Sequence, residues 1–153
     1  MYHAAAQLDD LAAAQRLVEA ARAEAMEHAG VAMHSLQAAL PAGHRLLTAG
    51  IVQSNARLPD SLEAILRAHP LLHTAEGVLF RKVLAQACGD LRLPVLGVPS
   101  RELGAAAAAL LGVDPGELQV WLAAAGRELG RPWGKDEKDA LQVATRALAA
   151  APR

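Results

Sequence analysis

Residues 69–81, HPLLHTAEGVLFR, decide how the middle of this chain is read. Two histidines, a threonine and a glutamate stand beside a glycine, between apolar runs. Pro70 argues against one continuous helix, because a proline inside a helix removes a backbone donor and crowds the preceding turn. A break there leaves LLHTA, residues 71–75, as a segment of strand length, with a helix following from Glu76. In that reading Thr74 caps the helix, and Glu76 sits in its first turn, where a carboxylate favours the helix dipole. Within a strand, His73 and Ala75 would share one face, with Thr74 and Glu76 on the other. On one continuous helix, His69, His73 and Glu76 would instead share a face with a spacing that suits zinc.

Upstream, PDSLEAILRAH reads as a short helix, with Asp60 as its cap and Glu63 three residues later. HRLLTAGIVQSN before it is an apolar run of strand length, and SNARLPD breaks it. A strand this apolar argues for burial on both faces, as in a sheet covered by helices. The N-terminal segment 9–39 reads as one long helix, or two with a bend at Gly30, capped by Asp9 or Asp10. Its apolar stripe runs through Leu11, Leu17, Val18, Ala21, Ala25, Val31, Met33 and Leu36.

Downstream, LRLPVLGVP is the third strand candidate. Gly97 there, like Gly50 in the first run, marks close packing. SRELGAAAAALLG reads as a helix capped by Ser100 and closed by Gly112. DPGELQVWLAAAGRELG carries the strongest helix start in the chain, with Asp114, Pro115 and then Glu117. KDEKDALQVATRALAA is the last helix, with Leu141, Ala144, Thr145 and Leu148 on one face. This order predicts one α/β domain over 1–153, a helix-rich three-layer arrangement around a small, mostly parallel sheet of about three strands. Its parts are the long helix 9–39, a strand-helix-strand-helix-strand core over 44–99, and C-terminal helices over 100–150.

Composition narrows the function classes. Hydrophobic residues make up 53% of the 153 residues and charged residues 20%, which excludes a disordered chain. The formal net charge of −1 provides no global field to attract nucleic acid. The single cysteine, Cys88, forms no intrachain disulfide and suits a reducing cytosol, and among Leu84, Ala85 and Ala87 it reads as a buried small apolar residue. MYHAAAQLDD places acids where a signal peptide needs a basic region and an apolar core. No apolar run is long enough to span a bilayer. The expectation is a cytoplasmic protein with no membrane partner. Abundant alanine, and arginine in large excess over lysine, read as the coding bias of a GC-rich bacterium.

The C-terminal half, with a helix, then LRLPVLGVPSREL, then helices and the acidic KDEKDALQVATRAL, resembles the last part of the ribonuclease H-like fold of bacterial Holliday-junction resolvases. The family's N-terminal strands, the first of which carries an essential aspartate, have no counterpart in the long helix 9–39. The resemblance implies a metal-binding carboxylate at Glu76 and a second at Asp136 or Asp139. Two such acids would hold divalent metals that activate water for phosphodiester cleavage.

Glu76, His73 and Asp136 are therefore the candidate catalytic residues. Thr74, with Ser54, Asn55 and Arg57 of the SNAR loop, are candidates for binding a small ligand at the edge of the sheet. A divalent metal is the one cofactor the donor set suggests, of unspecified identity. GRPWGKDEKD offers Trp133 among cations and acids, a mixture better suited to covering the core than to stacking on a base. The alternative to an enzyme-like site is a non-catalytic interaction or assembly module. The broad apolar stripe of helix 9–39 points to a homodimer.

Overall fold

The computed structural model describes residues 1–151. The chain forms two compact units, one comprising Met1–Arg45 and Ala56–Leu91, the other Leu46–Asn55 and the chain from Arg92 onward.

The first unit is helical. Its elements are α1 (Tyr2–Ala5), α2 (Leu11–Ala38), α3 (Leu62–Leu66) and α4 (His69–Asp90). Asp10 starts α2 by accepting from the N–H groups of Ala12 and Ala13, and the helix runs unbroken past Gly30. α4 packs along α2, and α1 lies against both. The buried cluster joins Tyr2, Ala29, Ile65, Leu72, Leu79 and Val83. On α4 the buried positions are Leu72, Ala75, Leu79, Val83, Ala87 and Cys88. Their spacing of three and four residues is that of one helix face.

LLHTA is therefore helical and not a strand. Pro70 falls in the first turn of α4, where its missing N–H would have found no intrahelical partner anyway. Two cap assignments also move. Ser61, not Asp60, caps α3, because its hydroxyl reaches the Ala64 N–H three residues on. Thr74 lies inside α4 and donates its hydroxyl to the Pro70 carbonyl at 3.1 Å, so it caps nothing.

The second unit holds β1 (Ala49–Gln53), β2 (Val95–Pro99), α5 (Leu103–Leu111), α6 (Pro115–Leu129) and α7 (Lys135–Ala150). The two strands pair in parallel, from Ala49 opposite Val95 to Gln53 opposite Pro99. Among the described residues the sheet has two strands where the sequence suggested about three, because the middle candidate went to α4. α7 packs on β1 and β2, α5 on α7, and α6 on α5. Gly50 permits the close approach of α7, since a Cβ there would stand 2.6 Å from the Val143 carbonyl oxygen. That approach turns Gln142, Val143 and Ala147 inward, whereas Ala144 and Leu148 of the anticipated face are exposed.

Ser100 does not cap α5, whose helical backbone begins at Leu103. Its N–H instead bonds the Gln53 carbonyl, prolonging the strand ladder. The start of α6 matches its sequence, with a complete capping box between Asp114 and Glu117. Gly112 closes α5 at φ 68°, a left-handed conformation that favours glycine. Among the described residues no helix is long and apolar enough to cross a membrane.

Candidate functional site

The helix that absorbs Pro70 also decides the geometry of the histidines. On α4, His69, His73 and Glu76 follow one another by four and three residues and so share a face that borders the buried one. α1 turns Tyr2 and Ala5 into the core. That turn presents His3 to the α4 face. The His3 ring centre lies 4.5 Å from that of His73 and 5.0 Å from that of His69. His69 and His73 are 5.4 Å apart, nearly perpendicular.

Glu76 completes the cluster. Its Oε1 accepts from the Met1 ammonium at 2.8 Å and from the Tyr2 N–H at 3.1 Å. The hydrogen bond from the ammonium is the main cause that holds the Glu76 carboxyl below its ordinary range, against the opposing effect of partial burial. Both bonds fall on Oε1, which leaves Oε2 for a cation. One donor atom from each of His3, His73 and Glu76 lies within 4.8 Å of the others. Around a tetrahedral zinc, with bonds of about 2.0 Å, such donors stand roughly 3.3 Å apart, a distance that small side-chain rotations reach.

His3 Nε2 is enclosed and has no hydrogen-bond partner. A buried polar atom left unsatisfied is costly, and an imidazole nitrogen is also a good ligand for transition metals. Two imidazoles and a carboxylate form a donor set that suits zinc, nickel, copper or ferrous iron. His69 packs edge-on against both imidazoles but is not one of these mutually close donors.

The other residues singled out from the sequence do not belong to this donor group. Thr74 is half-buried on α4. Ser54 and Asn55 belong to the second unit, as does Asp136, which is exposed in the first turn of α7. Asn55 donates to the Ser100 hydroxyl at 3.0 Å, tying the two strand ends together. Arg57 is exposed in the segment that re-enters the first unit. Asp139 pairs with Lys135 along α7. Cys88 is buried, as its apolar neighbours suggested. Trp133 donates its indole N–H to the Leu122 carbonyl at 3.0 Å and covers α6, in keeping with a structural role.

Sequence reasoning found His69, His73 and Glu76 but missed His3. No local motif links His3 to them. The available signal was the MYHAA turn, where Tyr2 and Ala5 in the core force residue 3 outward.

No family model, no curated protein and no solved structure matches this chain.

Proposed function

We propose that the first unit binds a divalent transition metal of the zinc class through His3, His73 and Glu76. The observation that carries this reading is the enclosed, unpartnered Nε2 of His3 beside a second imidazole and an ionised carboxylate. Three protein donors with a position left open would let the ion activate a water, as in a metal-dependent hydrolase.

Titration calorimetry with zinc, and the visible absorbance of a cobalt substitute, test it. A single tight site is expected, weakened at least about tenfold by His3→Ala or His73→Ala, since metal sites lose that much with a ligand or its support. Asn55→Ala should leave it unchanged. Absence of zinc binding, or binding indifferent to the His3→Ala/His73→Ala double substitution, would sink the reading. Binding of magnesium or manganese in place of zinc, lost in Glu76→Gln but not in His3→Ala, would favour a carboxylate site for a hard cation over it.

A second reading, assembly as a homodimer, has its own support. α2 buries only Ala14 and Ala29 fully, while Leu11, Leu17, Val31 and Leu36 are exposed. Light scattering at micromolar concentration tests it, and a mass near the 16.0 kDa of one chain would rule it out.

A further inference from the structure

The first unit contains a cleft of about 560 Å³, within the size range of small-molecule sites. Its apolar wall is formed by Val18 of α2, Ile65 of α3, and Val78 and Leu79 of α4, with Leu58 alongside. His3, His73 and Glu76 do not line it. Tyr2 and Ala75, their sequence neighbours, do, so the cleft and the histidine cluster lie on different faces of α1 and α4.

Three hydrogen-bond donors border the apolar wall. Arg22 and Lys82 line this cleft and also a second recess of about 410 Å³, so the two cations stand together where the recesses meet. Neither has a carboxylate within ion-pair distance among the described residues. Tyr2 is 9% exposed, and its hydroxyl, a hydrogen-bond donor, has no partner among the described residues. Glu19 and Asp60 also border the cleft. Glu19 is engaged by Gln15 at 2.9 Å. These two acids oppose a ligand carrying more than one negative charge.

We infer that this cleft binds a small amphiphile with one carboxylate, its headgroup on Arg22, Lys82 and the Tyr2 hydroxyl and its apolar body along Val18, Val78 and Leu79. The site is independent of the proposed metal. Calorimetry of the full chain with decanoate, kept below its micelle concentration, tests the inference. Submillimolar binding is expected. Arg22→Gln and Lys82→Gln should each weaken it roughly tenfold, the scale of one charge-assisted hydrogen bond. Both side chains are exposed, so both variants should keep the native far-ultraviolet circular dichroism. Tyr2→Phe should weaken binding severalfold, decanol should bind more weakly than decanoate, and His73→Ala should have no effect. The inference is overturned if decanoate does not bind, if decanol binds as tightly, or if the Arg22→Gln/Lys82→Gln double variant binds decanoate like the parent.

Discussion

Gly126 shows how one missing side chain places another. A Cβ there would collide with the Trp133 indole, which folds over α6 and bonds the Leu122 carbonyl. Gly126→Ala should therefore destabilise the protein by about 1–3 kcal/mol, the usual cost of overpacking, read from the midpoint of denaturant unfolding. Cys88 is the contrasting case. Its burial pushes the thiol pKa up, so little thiolate forms at neutral pH. Iodoacetamide should label it slowly in the native protein and rapidly in denaturant, and fast native labelling would contradict its placement. Glu76 gives the pH dependence of the metal-free protein. Its folded pKa lies below the ordinary 4.5, so its stabilising contribution is fully present above that value and is lost as pH falls through the lowered one. Glu76→Gln should flatten the acid limb of stability against pH, and an unaltered limb would show that the ammonium contact contributes nothing. Of these particulars the sequence disclosed Cys88 and the covering role of Trp133. It did not disclose the Trp133–Gly126 contact, because nothing local pairs residues that meet only through a turn.

Helix starts with complete local chemistry were legible, because their causes lie within four residues. Asp114, Pro115 and Glu117 specify the beginning of α6 without help from the rest of the chain. Asp114→Ala leaves the N–H groups of Gly116 and Glu117 without their acceptor. It should lower stability by about 1 kcal/mol, seen as a lower thermal midpoint. α4 was misread because two cues competed. Pro70 and a short apolar run favoured a break, while Leu72, Ala75, Leu79 and Val83 already carried the helical period across it. Period deserves more weight than a proline that falls in a first turn. The inward faces of α2 and α7 were only partly legible for a different reason. Alanine is apolar on every side of a helix, so the packing partner selects the face. Val143 is chosen by the absence of a side chain at Gly50, not by any pattern within α7.

The coarse class, helix-rich with a small parallel sheet, followed from the order of the segments. The division into two compact units did not, because no linker composition marks where the chain passes from one to the other. Each unit has its own buried residues, and they should open separately. Leu122→Ala removes a fully buried side chain of the second unit, at a cost of roughly 2–5 kcal/mol. Hydrogen exchange should then speed up in α5, α6 and α7 while the α4 amides keep their protection, and uniform acceleration throughout would refute separate opening. The parallel pairing of Ala49–Gln53 with Val95–Pro99 has a kinetic consequence. A strand that waits for a distant partner bears the entropy of closing the intervening chain before any ladder bond forms. β1 leaves the ribosome early, yet its partner β2 and the Val143 backbone that Gly50 accommodates are synthesised much later. Every segment of the first unit precedes Arg92, so that unit can close during synthesis while β1 stays unpaired. The nascent chain thus carries an unpaired strand until β2 has emerged, and an uncovered strand pair until α7 has followed.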